Sequence, residues 1–445
     1  MITSDTSAHR TKLIKKNVIA SFLIKAWSAL VILAIVPVTL HTLGEYKNGL
    51  WLTISSILAW IDYMDVGLGN GLRNRLAEAL AHHDYTRAKS IVSSTFLMLT
   101  VVIIPACCVI ISLIYCSDTY SILNVSKSLV KDLPQVLILT VILVCSTFIF
   151  KIIGNVYMGL QLPAISNLLV TLGHTLSLVG SYIVYYSGSH SLMHIAIVNT
   201  LSPLIVYLVA YPITFQLKYK YLKPDFRLSS LSEAKNLFDV GLQFFILQIS
   251  GIILLMSTNL IISKLFSPEI VTPYQITYRY FSILLVLFTV ICVPFWNATT
   301  DAYARGDISW IKNANIRLNK ITLLLSVLMV LMLLFSNVFY KIWIGKDVKI
   351  PFAMSATMAI YIFILIISSR YSYIINGIGK LRIQLMVTAT AALLFVPLAY
   401  IAAKITNNVI GIMIVMCLVN IPGLVINYIQ FNKLINGTAK GIWLK

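Results

Sequence analysis

Apolar stretches of about 20 residues recur along the whole chain, and that is the length an α-helix needs to cross the hydrocarbon core of a bilayer. Twelve are read, at 17–41, 48–70, 91–116, 134–160, 163–187, 192–214, 237–264, 270–298, 320–344, 352–376, 381–404 and 409–432. The expected fold is an all-α polytopic membrane protein with about 12 transmembrane helices. Composition agrees: 59% of the 445 residues are hydrophobic, 11% are charged, and the mean hydropathy is +0.89. A soluble globular chain carries about 25% charged residues, and a disordered one needs low hydrophobicity, so both are excluded. No loop is long enough to hold a separate domain.

The formal net charge is +19, from 34 Lys+Arg against 15 Asp+Glu. The basic residues fall in short tracts between the apolar runs, as the positive-inside rule expects, and this excludes a nucleic-acid partner. With the N-terminus in the cytoplasm, 22 Lys+Arg lie on that side against 8 outside. Twelve spans then return the C-terminus to the cytoplasm. The first apolar run is too long for a signal-peptide core and has no obvious cleavage site, so it is expected to stay as a span. Cys107, Cys108, Cys145, Cys292 and Cys417 sit inside apolar stretches without a C-x-x-C pair or nearby histidines, and read as packing residues rather than metal ligands. Gly67, Gly69 and Gly71 imitate a phosphate loop, but no strand precedes them; they end or bend the second span. No P-loop motif occurs, and no metal or other cofactor is expected.

An internal repeat divides the chain. Glu78 to Lys89 reads EALAHHDYTRAK, and Asp301 to Lys312 reads DAYARGDISWIK. A shift of 223 superposes Ala79 on Ala302, Ala81 on Ala304, Asp84 on Asp307 and Lys89 on Lys312. A second anchor sets YMGLQL against INGIGKL and aligns Gly159 with Gly377. Six spans per copy preserve orientation, so these are parallel repeats. Two pseudo-symmetric six-helix lobes around a central cavity are expected: residues 1–215, a cytoplasmic linker at 216–236, and residues 237–445.

Away from the span ends, four basic residues remain inside the spans: Lys25, Lys151, Arg279 and Arg370. A charge at the centre of a membrane helix costs about 2.5–3.5 kcal/mol on insertion scales, and usually faces a bundle interior or wet cavity. Lys25 lies about 12 Å from the cytoplasmic end of its span, and Arg279 about 14 Å from the outer end of its own. Lys151 and Arg370 lie nearer the cytoplasmic ends, where snorkelling to the headgroups is open to them. Equivalent spans carry these last two at similar depths, and across a cavity they would cradle an anion such as a diphosphate. Tyr278 and Tyr280 flank Arg279, and either stack on sugar rings or pack between helices. Asp62, Asp65 and Asp239 are ion-coupling candidates or counter-ions for the basic residues, and Asp301 lies at the membrane edge. His174 reads as a hydrogen-bonded interior residue, with a proton relay as its alternative.

DVGLGNGLRNRLAEALAHHD, VPFWNATTDAYARGDISWIK, LFSPEIVTPYQITYRYFSI and NGIGKLRIQL resemble stretches of Wzx-type O-antigen and capsule flippases. These are bacterial polysaccharide-export proteins of the multidrug/oligosaccharidyl-lipid/polysaccharide (MOP) superfamily. The resemblance covers both halves and nearly the whole length. It implies a MATE-like, V-shaped pair of six-helix bundles in the bacterial inner membrane. It also implies inversion of an undecaprenyl-diphosphate-linked oligosaccharide, with polysaccharide polymerase or export machinery as a partner. Lys25, Lys151, Arg279 and Arg370 are consistent with the basic lumen of such a carrier. Relatives often carry an acid where this chain has Ser257-Thr258-Asn259, which puts ion coupling through that site in doubt. A drug/cation antiporter of the same superfamily would share the spans but favour an acidic lumen. An O-antigen polymerase or ligase usually has a long periplasmic loop, whereas the longest outer loop here, Ser117 to Leu133, is short. A structural scaffold would not account for the buried charges.

Overall fold

The computed structural model describes residues 3–61, 68–228, 257–346 and 348–444, and all regular structure among them is helical. The chain divides into two compact units, Met1–Phe245 and Ile246–Lys445. Unit 1 holds α1 (Thr3–Leu58), α2 (Leu68–Ala81), α3 (Tyr85–Cys116), α4 (Thr119–Leu123), α5 (Leu133–Gly159), α6 (Pro163–Tyr186) and α7 (Leu192–Pro212). Unit 2 holds α8 (257–265), α9 (Pro268–Ala304), α10 (Ile308–Leu334), α11 (Ser336–Trp343), α12 (Phe352–Ile378), α13 (Arg382–Thr406) and α14 (Val409–Ile435). Among the described residues, 10 helices are long and apolar enough to cross a membrane. The protein is a multi-pass membrane protein.

The sequence reading needs correcting where hydropathy and helix ends part company. The break between the first two spans is short: within α1 two helices meet across a kink at Gly44 (φ 72, ψ 171), the one non-helical residue between them. Straight, α1 would measure about 84 Å, far more than the roughly 30 Å hydrocarbon core, so the reversal at Gly44 is what divides it. His190 Nδ1–H donates to the Thr42 carbonyl at 2.7 Å, and Lys47 Nζ donates to the His190 carbonyl at 3.0 Å, tying the bend to the α6–α7 loop. Residues 320–344 are not one span, because α10 ends at Leu334 and α11 starts again at Ser336. Helices α2 and α9 run past the apolar stretches to Ala81 and Ala304. Hydropathy marks where lipid ends, and a helix continues into water on its own hydrogen bonds. The seventh span falls mostly outside the described residues.

The repeat is present in three dimensions. In unit 1, α2, α3 and α5 pack mutually, α5 packs on α7, and α7 on α6; in unit 2, α9, α10 and α12 pack mutually, α12 packs on α14, and α14 on α13. The helix-turn-helix anchors are copies. Asp84 caps α3 by accepting from the Arg87 N–H at 2.9 Å, and Asp307 caps α10 by accepting from the Trp310 N–H at 2.9 Å. The residue before each cap is left-handed, His83 at φ 56 and Gly306 at φ 75. The Asp84 N–H returns to the Ala79 carbonyl and the Asp307 N–H to the Ala302 carbonyl, both at 2.9 Å. Every pair keeps the 223-residue shift.

Glycine makes the second anchor physical. A Cβ on Gly159 would lie 2.9 Å from the Leu76 side chain and 3.2 Å from the Arg73 carbonyl; one on Gly377 would lie 2.7 Å from Thr299 and 2.8 Å from the Trp296 carbonyl. Leu76 and Arg73 are the 223-shift equivalents of Thr299 and Trp296. The same close helix approach is therefore built twice, and only glycine permits it.

Candidate functional site

The glycine contacts fix the register of α5 against α12, and that register bears on the basic pair. With Gly159 on Gly377, the exposure pattern of residues 136–142 recurs residue for residue at 354–360. Lys151 then corresponds to half-buried Ser369, and Arg370 to Ile152, which is 1% exposed. Lys151 and Arg370 keep similar depth, but one residue is about 100° around a helix, so they occupy different faces. Lys151 and Arg370 thus share depth along equivalent helices and differ in direction.

Arg370 is 8% exposed. Its guanidinium donates to Asn319 Oδ1 of α10 and to the Tyr371 hydroxyl, and lies 4.4 Å from the centroid of the Tyr371 ring. Tyr371 in turn packs against Tyr428 and Phe431 of α14. Below it, Asn427 donates to Ser368 and Ser372 at 3.2 and 2.9 Å. Arg370 is thus a polar staple joining α10, α12 and α14. Lys151 on α5 is half-buried, and Lys25 on α1 is exposed. Their two helices touch. Beyond Lys25, α1 is fastened to α6, where Trp27 Nε1–H donates to Thr175 at 3.2 Å and Ser28 pairs with His174 Nδ1 at 3.0 Å. His174 is a hydrogen-bonded helix-packing residue.

Arg279 lies in the fourth turn of α9, half-buried beside half-buried Tyr278. Gln275, four residues earlier and on the same face, donates from Nε2 to Asn259 Oδ1 at 2.7 Å. The Tyr274 hydroxyl and Thr258 Oγ1 both donate to the Met416 sulfur, at 3.6 and 3.9 Å. Tyr361 of α12 is 2% exposed and lies near Tyr274 and Tyr278. Where an acid was looked for at Ser257-Thr258-Asn259, the chain has neutral hydrogen-bonding groups already engaged. Tyr280 faces away from this belt: its hydroxyl donates to the Met332 carbonyl at 3.0 Å, and its ring stacks on Phe339 at 4.6 Å. It serves helix packing. Gln275 and Tyr361 were missed from sequence. The i, i+3, i+4 spacing of Gln275, Tyr278 and Arg279 was the available signal.

No acidic residue lies in α8 or α10 to α14, or between Glu269 and Asp301 in α9. The interior of these spans therefore offers only cationic and neutral polar groups. Asp62, Asp65 and Asp239 lie outside the described residues, as does the side chain of Asp301. Among the described residues no cluster of His, Cys, Asp and Glu is arranged to hold a metal ion.

The helix order and packing are those of MATE transporters of the MOP superfamily. The inward-facing conformation of a multidrug resistance MATE family transporter of that superfamily superposes with a TM-score of 0.76 at 16% identity, covering 94% of this chain and 95% of that one. The outward-facing conformation of such a transporter gives 0.61 at 15% identity, covering 95% and 97%. In sequence, the chain is 23% identical over 387 residues to a Salmonella typhimurium protein named "Putative O-antigen transporter", covering 82% of this chain and 84% of the relative. A Salmonella typhi protein of the same name is 22% identical, covering 84% and 86%. No protein-family profile matches the chain. The resemblance read from the sequence stretches is thus met both by named relatives and by fold.

Proposed function

We propose that the protein is a flippase that moves an undecaprenyl-diphosphate-linked oligosaccharide from the cytoplasmic to the periplasmic leaflet by alternating access. The observation that carries this reading is the sign of the charge in the described helices of unit 2: Arg279 sits in a belt of tyrosine, glutamine and asparagine, and α8, α10 to α14, and α9 between Glu269 and Asp301 carry no acid. The planar guanidinium of Arg279 suits a diphosphate, and the neutral donors and tyrosine faces suit the hydroxyls and rings of a glycan. The O-antigen transporter names of the relatives agree with that substrate class. Lys25 and Lys151 of unit 1 are the further candidates for the anionic path, with both termini on the cytoplasmic side of the inner membrane. The chain acts as a carrier rather than an enzyme, with polysaccharide polymerase or export machinery taking its product. A cation-exporting antiporter of the same fold is disfavoured by the basic interior.

The test is an Arg279 series in cells that depend on this gene for surface polysaccharide. Arg279→Lys keeps the charge without the planar fork, and Arg279→Gln removes both. Export is expected to fall in the order Arg, Lys, Gln while membrane abundance stays constant. Full polysaccharide from an abundant Arg279→Ala protein would overturn the substrate role, and accumulation of a cationic drug on gene deletion would favour the antiporter.

A further inference from the structure

In each unit the last long helix described, α7 or α14, is followed by short helical turns. After α7 the chain forms a short π-helix, Ile213–Lys218, and one-turn 3-10 helices at Lys220–Leu222 and Phe226–Leu228. After α14 it forms a 3-10 helix at Gly441–Leu444. Both turns carry exposed cations next to exposed apolar side chains. In unit 1, Lys218, Lys220 and Lys223 alternate with Leu217, 70% exposed, and Tyr221, 41% exposed. In unit 2, Lys440 precedes Ile442 and Leu444, each 43% exposed, and the Lys433 ammonium lies 4.2 Å from the centroid of the Trp443 ring.

A solvated charged loop has no need of exposed leucine and tyrosine, and a hydrocarbon-facing surface has no need of lysine. The combination fits the plane where hydrocarbon gives way to headgroups. These turns are also fixed in place. Phe215 and Leu222 are fully buried. Ser90 Oγ donates to the Leu228 carbonyl at 2.8 Å, the Asp225 N–H donates to Ser93 Oγ at 2.9 Å, and Tyr221 packs edge-on against Tyr85. Asp225, the acid described in this segment, is bridged to Lys89 at 3.4 Å and accepts from the Arg227 N–H at 3.1 Å. Its charge is thereby tied to α3 and set against the neighbouring cations, leaving the three lysines as the outward charge. In unit 2 the 3-10 turn packs on α13 and α14.

We propose that these two turns are matched interfacial anchors, each binding the phosphodiester headgroups of anionic phospholipids in the cytoplasmic leaflet. The inference rests on the cytoplasmic placement of the linker and C-terminus, and is independent of what the protein carries. An anionic surface contributes about a fivefold gain in affinity per lysine at this plane, so each anchor selects strongly against zwitterionic lipid.

The test is native mass spectrometry of the purified full-length protein, released from detergent with phosphatidylglycerol, cardiolipin or phosphatidylethanolamine. The wild type is expected to retain the two anionic lipids over the zwitterionic one. Lys218→Gln/Lys220→Gln/Lys223→Gln should lose part of that retention, and adding Lys433→Gln/Lys440→Gln should lose the larger part of the rest. Lys127→Gln/Lys131→Gln, on the longest outer loop, should retain the wild-type amount. Equal retention by the five-site variant, equal loss from the outer-loop variant, or wild-type retention that ignores lipid charge would each overturn the proposal. So would a deficit seen only with polyprenyl diphosphate, which would make the turns a substrate surface instead. Should the five-site variant not fold, the wild type alone decides: anionic retention must fall at high salt.

Discussion

Helix pair α6·α7 in unit 1 and its counterpart α13·α14 in unit 2 close differently. A Cβ on Gly180 would meet Val198 at 2.6 Å, and one on Gly173 would meet Pro203 at 3.2 Å, so in unit 1 the helices touch through glycine. The buried row Gly173, Ser177, Ser181 of α6 recurs in α13 as Ala391, Phe395, Ala399, which places Leu398 at the Gly180 position. There the helices still pack on one another, with an open groove of about 430 Å³ beside the contact, lined by Ala391, Leu394, Leu398, Leu418, Pro422 and neighbouring apolar side chains. In lipid, apolar burial gives little drive for helices to associate, so backbone approach is set by small residues. Two copies of one architecture thus carry different side chains at the positions of Gly173 and Gly180.

The strongest way to break this contrast is Gly180→Leu. It drives a branched side chain into Val198 and should destabilise the protein by about 1–3 kcal/mol, read as a fall in the thermal unfolding midpoint in detergent. A wild-type midpoint would mean that α6 and α7 do not depend on the glycine. Next comes the glycine contact that both units share. Gly377→Ala should cost more than Gly159→Ala, because the Trp296 carbonyl cannot move aside, whereas the nearest atom at Gly159 is the end of the Leu76 side chain. Equal midpoints would show that the approach of α9 to α12 is looser than that of α2 to α5.

Smaller, matched losses are expected from Asp84→Ala and Asp307→Ala, since each removes one helix cap of the same geometry. The Trp310 N–H, with Ser309 beside it, holds the Asp307 carboxyl below the usual carboxylate range. A carboxyl with a lowered folded pKa stabilises above its unfolded value, and that stabilisation is lost as pH falls through the folded value. The gap between wild type and Asp307→Ala should therefore be full at neutral pH and close only in strong acid. The smallest effect belongs to Leu398→Phe, which adds volume towards a space already present and should leave the midpoint nearly unchanged or slightly raised. A large loss there would mean that the groove is filled in the working protein.

Much of this architecture was legible before the structure. Span positions follow from the bilayer's demand for about 20 apolar residues, and the Asp84/Asp307 repeat followed from a shift that twelve aligned residues already displayed. Direction is harder to read than depth. The alignment of Gly159 with Gly377 already implies that Lys151 and Arg370 differ by one residue in register, and the contacts of the two glycines with Leu76 and Thr299 give that register its physical cause. Depth survives such an offset, since one residue is about 1.5 Å along the axis, but facing does not. Of the two roles open to Tyr280 in sequence, its contacts are those of helix packing: flanking Arg279 puts it on another side of α9, against Phe339. The Gly44 break, by contrast, was legible, because the polar residues around it, His41, Glu45, Lys47 and Asn48, separate two apolar runs.

That reversal sets a parity. At φ 72 and ψ 171, Gly44 occupies backbone space that is essentially closed to residues with a side chain, and the strain of forcing one in is about 1–3 kcal/mol. A membrane protein is threaded in sequence, and the side on which each later loop emerges depends on whether the number of crossings before it is odd or even. One residue that turns the chain back contributes one to that count. Were α1 to leave the bilayer as a single rod, every loop after it would be assigned to the opposite compartment, and the basic segments that follow would have to cross a membrane that resists them. Gly44 is therefore a term in the addressing of the whole chain, with consequences reaching residues that never come near it.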